Sequence, residues 1–435
     1  MLQPHYPNLL ANMTSRVLPK GEFSRNILTL MTGTTLAQAI PVAIAPILTR
    51  IYTPEDFGVF ALYVAISSIA GVVATGRYEL TIMLPKKDSD AANLVVLSII
   101  VAFLVSLLML GAVLFFNDSI TMLLGNPQIS TWLYFVPLTV LLTGIYQSLN
   151  FWSNRKKQYK RLAINRVVQN ATMSCTHVGA GCIGFGFSGL IIGSIVGQGV
   201  ASVALGNILW REDKTIFTQT TKLKKIALAR RYINFPRYLV IAHTLNSASF
   251  QSPSILLNML FNSATAGYYM LTRRVISVPM SIVARAIGDV FRQEASYDFI
   301  HKGQCVKVYN KTLKRLVLIA VLPFLVFFLV APDLFAFIFG EPWRVAGKYA
   351  RILTPMVFLQ FVASPLSLMF MVAEKQKYDL IWQLCLFVMT SASLVAGYFF
   401  DSVLCGLILF SLSYSLMYLI SGIMSAIFAR GGVNP

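Results

Sequence analysis

The chain has 435 residues, of which 56% are hydrophobic and 12% are charged, and its formal net charge is +19. Outside its apolar segments it leaves no polar stretch large enough for a catalytic domain, which excludes a water-soluble enzyme and indicates an integral membrane protein. A charge of +19 suggests nucleic-acid binding in a soluble protein, but here the positions of the cations favour membrane topology instead, and no nucleic-acid partner is predicted.

Twelve apolar segments follow one another along the chain. Each has about the 20 residues that a helix needs to cross a bilayer, and unpaired backbone groups are not tolerated in hydrocarbon. The sequence therefore predicts an all-α polytopic membrane protein with about 12 transmembrane helices. The predicted spans begin near Asn26, Phe57, Ala91, Thr131, Asn165, Ser188, Leu239, Ala264, Leu316, Ala350, Leu380 and Val403, and the last ends near Ala429.

Lysine and arginine are concentrated on alternate connections. Of the 36 basic residues, 30 lie on the segments that would share one side of the membrane with the N-terminus. Loops rich in these residues stay in the cytoplasm. We therefore expect both termini on the cytoplasmic side of the membrane.

The two halves of the sequence share short patterns in the same order. Leu124-Gly125-Asn126-Pro127 before the fourth span matches Phe339-Gly340-Glu341-Pro342 before the tenth, and Phe57-Gly58 in the second span matches Ala266-Gly267 in the eighth. Six spans return the chain to its starting side, so the halves are predicted to be parallel repeats. The predicted division is a cytoplasmic segment 1–25, an N-terminal lobe 26–210, an amphipathic inner-surface linker 211–237, a C-terminal lobe 238–429 and a cytoplasmic tail 430–435.

Polar side chains recur at helical spacing inside several spans. In the seventh span the stripe is His243, Ser247, Gln251, Ser254 and Asn258, and in the eighth it is Arg274, Ser277, Ser281 and Arg285, with Arg273 beside it. An arginine at mid-bilayer costs about 2.5–3.5 kcal/mol unless it meets water or an anion. The pattern favours a cationic cavity for an anionic ligand, with Arg274 expected to matter more than Arg273. The alternative is that these arginines cap neighbouring carbonyls or extend outward.

The first and fifth spans add further candidates. Arg25 and Arg166 are predicted to bind the same ligand, although a buried polar seam between helices would have the same sequence pattern. His243 and Glu79 are candidates for ion coupling, since histidine titrates near neutral pH; Glu79 is alternatively a simple partner of Arg77. The sequence contains no phosphate-binding loop, no paired metal-ligand spacing and no nucleophile elbow. It therefore predicts no metal, no cofactor beyond a coupling proton or sodium ion, and no ATP hydrolysis.

Three segments near the N-terminus resemble a known family: Gly21-Glu22-Phe23-Ser24-Arg25-Asn26, Leu48-Thr49-Arg50-Ile51-Tyr52-Thr53-Pro54-Glu55-Asp56-Phe57-Gly58 and Arg77-Tyr78-Glu79-Leu80-Thr81-Ile82-Met83-Leu84-Pro85. They are similar to the opening of bacterial polysaccharide-biosynthesis flippases of the Wzx type, relatives of the multidrug-and-toxin exporters. The resemblance implies a fold with two six-helix lobes and alternating access. It also implies passage of an undecaprenyl-diphosphate-linked oligosaccharide, an O-antigen or capsule or exopolysaccharide unit, from the inner to the outer leaflet.

Two other functions have to be weighed against a flippase. A cation-coupled multidrug antiporter shares the architecture, but an arginine-lined cavity repels cationic drugs. A membrane polymerase or ligase is expected to carry a large outer catalytic loop, whereas the longest outer connection, around Asn117 to Ser130, is of ordinary length. Polysaccharide synthesis enzymes docking on the basic inner loops would be further partners.

Overall fold

The computed structural model describes residues 22–431, with side chains throughout that range except at residues 22–31, 278, 279, 281 and 282. Most of the predicted N-terminal segment and residues 432–435 of the predicted tail therefore lie outside the described residues. Within the described range the chain is helical, with twelve helices of 20 residues or more. The predicted all-α fold is confirmed.

The twelve long helices are joined by short connections, so successive helices run in opposite directions. Their bounds are α1 Glu22–Ile51, α2 Pro54–Val73, α3 Asp88–Leu124, α4 Val136–Arg155, α5 Tyr159–Cys182, α6 Phe187–Thr218, α7 Val240–Leu260, α8 Ser263–Lys302, α9 Val306–Phe339, α10 Arg344–Leu366, α11 Gln376–Phe399 and α12 Val403–Ala429. A short helix, Lys222–Arg231, lies between α6 and α7 and is called the linker helix. The end of the bundle that carries it is called the linker end, and the opposite end is the distal end.

Eight helices in the described range are long and apolar enough to span a membrane, or nine if α4 and the bent segment before it form one span. Three of the twelve long helices, α5, α7 and α8, are not apolar enough to be counted as spans. These three carry polar stripes. A helix that buries its polar face inside a bundle does not need a uniformly apolar surface. The same residues that weaken the hydropathy of these spans therefore mark the helices that face the protein interior.

The bundle consists of an N-lobe, α1–α6, and a C-lobe, α7–α12. Within the lobes α1 packs on α5 and α5 on α6, as α9 packs on α10 and α11 on α12. Across the lobe boundary α2 packs along α8 and α7. The lobe boundary is thus built mainly from three helices.

At the distal end α2 and α8 cross at a pair of glycines. A Cβ on Gly58 would overlap the backbone of Ser263, and a Cβ on Gly267 would overlap the backbone of Pro54. The two contacts are reciprocal, because each glycine lies four residues after the residue that the other one meets. A twofold relation between the lobes, as the repeated Phe57-Gly58 and Ala266-Gly267 patterns predict, produces this geometry.

The starts of these two helices are also alike. Thr53 caps α2, with Asp56 completing a capping box and Pro54 in the first turn. The side chain of Asn262 caps α8 by accepting from Thr265 N. The matched patterns around Gly125 and Gly340 likewise share one structure: a helix end, a glycine with positive φ and a turn of 3₁₀ helix. These equivalences support duplication of a six-helix unit.

The linker helix belongs structurally to the N-lobe. Leu228 is buried in an apolar cluster of that lobe, Thr221 N donates to Asn93 Oδ1 at 3.0 Å, and the Tyr78 hydroxyl donates to Ala229 O at 3.1 Å. Helix α6 continues to Thr218, so the predicted lobe boundary at residue 210 falls inside a helix. The basic segment is thereby fixed against the linker end.

The glycine crossing predicts opposite effects for two similar substitutions. Alanine normally stabilises a helix by about 0.5–1 kcal/mol relative to glycine, and Gly111→Ala in α3 should behave so because nothing lies within 4 Å of its Cβ. Gly58→Ala should instead destabilise the protein by about 1–3 kcal/mol, the usual cost of forcing atoms into a packed site. Thermal unfolding of the purified protein measures both changes. A Gly58→Ala variant as stable as Gly111→Ala would contradict a tight crossing.

The charge distribution predicts which end of the bundle faces the cytoplasm. In a background with the native cysteines replaced by serine, Lys224→Cys should resist an impermeant maleimide in intact cells, whereas Gln128→Cys should react. Both positions are exposed, so access to the reagent depends on sidedness. Labelling of Lys224→Cys but not of Gln128→Cys would invert the topology.

Candidate functional site

The C-lobe encloses a cavity of about 540 Å³ between α7, α8, α10, α11 and α12. It extends from Tyr269 and Arg273 towards Ser367 and Asp379 near the linker end. Asn246 and Ser364 in its wall are exposed, so the cavity reaches the surface of the chain. This volume lies within the usual range for small-molecule sites, about 300–1,000 Å³.

Arg273 is the cation that lines this cavity. Its Nη1 donates to Phe250 O at 2.8 Å, and its guanidinium lies 3.6 Å from the centre of the Phe250 ring. No ion pair formed by the described residues involves Arg273. The acid of the cavity wall, Asp379, instead accepts from Gln383 Nε2 at 2.9 Å. A guanidinium has five N–H donors, so the bond to Phe250 leaves capacity for an anion.

A proline interrupts α7 close to the carbonyl that Arg273 binds. Pro253 lies inside α7 and has no N–H for the carbonyl of Ser249, and its ring crowds that turn. Ser249, Phe250 and Pro253 all line the cavity. The capping interpretation of these arginines therefore applies to one donor of Arg273, in a helix turn loosened by proline.

The rest of the cavity wall is rich in polar and aromatic side chains that the sequence analysis did not select. The polar ones include Gln360, Gln383 and Thr390, and the aromatic ones include Tyr269, Trp382, Tyr414 and Tyr418. The sequence does contain a pattern that could have identified the polar residues of the wall, because Asp379, Gln383 and Thr390 fall on one face of α11 at helical spacing. The tyrosines had no such signal, since aromatic residues are also ordinary in apolar spans.

Arg274 lies on a different side of α8. It is partly buried, it does not line the C-lobe cavity, and it lies seven residues after Gly267, on the face of α8 that contacts α2 of the N-lobe. In the N-lobe, His177 of α5 is buried, with Nε2 2.8 Å from Leu190 O and its own carbonyl accepting from the Tyr52 hydroxyl. The structure thus separates the two arginines: Arg273 faces the C-lobe interior and Arg274 faces the N-lobe.

The other predicted ligand residues are dispersed. Arg166 donates to Thr34 Oγ1 at 2.6 Å between α5 and α1, and Gln251 is partly buried on α7 outside the cavity wall. Arg285 is exposed further along α8. The side chain of Arg25 lies outside the described residues. Among the predicted residues whose side chains are described, only Arg273 lines the cavity, and the roles of all of them stay predictions.

The two ion-coupling candidates lie near each other across the lobe boundary. Glu79 is fully buried and accepts hydrogen bonds from Arg77 Nη1, at 3.2 Å, and from the Thr75 hydroxyl. His243 lies near the start of α7, one turn after the segment Phe235–Leu239 that contacts Tyr78–Met83, and its buried Nδ1 has no hydrogen-bond partner among the described residues. Glu79 is therefore a partner of Arg77, and His243 is the other lobe's contribution to the same cluster.

Comparison with known proteins identifies the family. The sequence profile of a polysaccharide biosynthesis protein family matches residues 47–348, well over half of the chain. The chain belongs to this family. The predicted family is thereby confirmed, and the matched range covers α2–α9 together with the lobe boundary.

One relative of known function and two solved structures are similar to this chain. The succinoglycan biosynthesis transport protein ExoT of Rhizobium meliloti (strain 1021) is 25% identical over 315 residues, which span 71% of this chain and 60% of that protein. The inward closed conformation of the lipid II flippase MurJ matches with a TM-score of 0.73 at 10% identity, covering 92% of this chain and 86% of that one.

An inward-facing multidrug resistance transporter of the MATE family matches with a TM-score of 0.66 at 16% identity, covering 92% of this chain and 94% of that one. At such low identity both structural matches establish the fold, which is that of a MATE or MurJ transporter. The two-lobe arrangement of twelve helices is consistent with that fold. The chain is accordingly a multi-pass membrane protein of a polysaccharide biosynthesis protein family.

Proposed function

We propose that this protein moves an undecaprenyl-diphosphate-linked oligosaccharide from the inner to the outer leaflet of a bacterial cytoplasmic membrane by alternating access between its lobes. The observation that carries the proposal is Arg273 in the C-lobe cavity, with no carboxylate paired to it among the described residues. Guanidinium forks match phosphate oxygens in a bidentate manner. A diphosphate supplies the anion that this site lacks.

The remainder of the cavity wall suits the sugars of such a lipid. Gln360, Gln383 and Asn246 offer amide donors and acceptors for hydroxyl groups, and Tyr414 and Tyr418 stack at 5.2 Å beside Trp382. Aromatic faces can cover the apolar faces of sugar rings while their polar tips keep hydrogen bonds. The prenyl chain is too apolar for this cavity and would remain in the bilayer.

The relatives support the same class of substrate without specifying the sugars. ExoT is a transport protein of succinoglycan biosynthesis, and MurJ is a flippase of lipid II. Both favour a lipid-linked or polysaccharide substrate, of O-antigen, capsule or exopolysaccharide type, for this chain. A multidrug exporter shares the fold, but Arg273 in the cavity opposes a cationic drug.

Arginine variants on one helix test the proposed ligand. We expect Arg273→Ala to reduce export of the surface glycan by about tenfold to a hundredfold, the usual effect of losing a charged hydrogen bond. Arg273→Lys should retain part of the activity because the charge remains while the fork is lost. Arg274→Ala is also expected to reduce export, although Arg274 lies at the lobe boundary and not in the cavity. Because Arg273 lines the cavity, we do not expect it to be the lesser of the two.

The matched control is Arg292→Ala, an exposed arginine further along α8. In a deletion strain, mass spectrometry of accumulated lipid-linked sugars and membrane abundance of each variant are measured together. Accumulation should follow loss of Arg273 but not of Arg292. Normal export by an abundant Arg273→Ala variant would remove the basis of the proposal.

We further propose that flipping is coupled to a proton through His243 and the Arg77–Glu79 pair, without ATP hydrolysis. His243→Ala should flatten the pH dependence of flipping in reconstituted vesicles, because the cluster then has no group that titrates near neutral pH. Glu79→Gln should also change the pH dependence, because the cluster loses its negative charge, and it should lower stability, since Arg77 loses its partner.

His301→Ala is the control, because His301 lies at the end of α8 and bonds to Tyr297 O on its own helix. Its pH profile should match that of the unaltered protein. If His243→Ala and Glu79→Gln both keep the original rates and pH profile, proton coupling through this cluster is excluded. A sodium gradient is then the next driving force to measure.

A further inference from the structure

A second cavity lies outside the C-lobe, between the linker helix and α3 of the N-lobe. Its volume is about 640 Å³, and its apolar walls are Leu97 and Ile100 from α3 and Ile226, Ala229 and Ile233 from the linker segment. Ile100 and Ile226 are 42% and 45% exposed. This linker groove is thus an open apolar trough at the linker end of the bundle.

Basic side chains line the same trough. Lys222, Lys225 and Arg230 contribute to its wall, and none of the ion pairs formed by the described residues involves them. The sequence from Lys222 to Arg237 contains no acidic residue at all. The trough therefore combines an apolar floor with uncompensated charge of one sign.

We propose that the linker groove binds an anionic phospholipid of the bilayer, with one acyl chain in the trough and the phosphate on Lys222, Lys225 and Arg230. Charge complementarity identifies the head group, because clusters of basic residues beside a membrane attract anionic lipids. The apolar walls identify the rest of the ligand. A free phosphate or an acidic peptide would satisfy the cations and leave Ile100 and Ile226 uncovered.

The groove does not require the linker to rearrange. Leu228 is buried against the N-lobe, while Thr221 N and Ala229 O are both held by hydrogen bonds to residues of that lobe. Lys222 and Arg230 are eight residues apart on the helix, or about 12 Å, which allows a phosphate and its ester oxygens to meet cations along one side. A preformed site of this kind loses less affinity to ordering than a mobile loop would.

Native mass spectrometry of the full chain tests the site, with phosphatidylglycerol and phosphatidylcholine of identical acyl chains as probes. The unaltered protein should retain phosphatidylglycerol in preference to phosphatidylcholine. Lys222→Gln, Lys225→Gln and Arg230→Gln combined should weaken that binding by at least about tenfold, since each cation near an anionic lipid contributes about fivefold.

The matched control removes three other cations from the same segment: Lys224→Gln, Arg231→Gln and Arg237→Gln. Arg231 and Arg237 lie beside the rings of Tyr232 and Tyr238, and none of the three lines the groove. This control should bind phosphatidylglycerol almost as the unaltered protein does. Equal loss in both triple variants would mean general charge attraction and would overturn the site.

Two further variants test the acyl-chain position without changing any charge. Ala229→Trp fills the trough from the linker side, and Ile100→Trp fills it from α3, so either should reduce phosphatidylglycerol retention. Unchanged retention in both variants, or full displacement of the lipid by inorganic phosphate, would reject an acyl chain in the groove. Because the readout is lipid retention, the result is independent of whether flipping occurs.

Discussion

Two consecutive arginines within one membrane helix impose a strong constraint on how that helix is surrounded. Neighbouring residues of an α-helix point about 100° apart, so a single adjacent helix cannot shield both Arg273 and Arg274 from hydrocarbon. Each guanidinium left in lipid would cost about 2.5–3.5 kcal/mol. Helix α8 satisfies the constraint by lying between the lobes, with Arg273 in the C-lobe cavity and Arg274 on the face that contacts α2 of the N-lobe. The position of α8 at the lobe boundary follows from this charge pair.

Two glycines, Gly58 of α2 and Gly267 of α8, let these helices pack closely at the lobe boundary. A helix carrying a Cβ at residue 58 or 267 would be held away from its partner, and the boundary would open at the distal end. The family-like segment around Leu48–Gly58 can be understood in these terms. Its Thr53 and Asp56 begin α2, and Asp56 also accepts from Phe187 N to fix the start of α6. These residues build the crossing rather than bind a ligand.

Much of the fold was accessible from the sequence, because hydropathy and the charge of the loops act over whole helices. The polar stripes correctly marked α5, α7 and α8 as interior helices. What the sequence did not contain was the identity of the neighbour on each side of a stripe. The sequence places Arg273 beside the polar stripe of α8, yet it is Arg273 and not Arg274 that lines the C-lobe cavity. Ser277 does not distinguish the two faces, because it lies four residues after Arg273 and three after Arg274. Tyr414 and Tyr418 are unremarkable in an apolar span, and their role depends on the packing of α12 against α10.

The chemistry of the lobe boundary bears on how the lobes could separate. At the distal end Asn126 Nδ2 donates to Asn258 Oδ1 at 3.2 Å and to Ser263 Oγ at 2.9 Å, and Trp343 Nε1 donates to Thr49 O at 3.0 Å. These groups are neutral, and water can replace each partner when the end opens, so each bond opposes opening by only about 0.5–1.5 kcal/mol.

At the linker end the ion pair of Arg77 with Glu79 lies wholly within the N-lobe. Opening of either end therefore leaves the buried carboxylate with its arginine. A boundary of exchangeable neutral contacts, with the Arg77–Glu79 pair kept inside a single lobe, is suited to lobes that move as rigid bodies. Arg274 lies on the face of α8 that contacts the N-lobe, so the surroundings of its charge change when the lobes move apart.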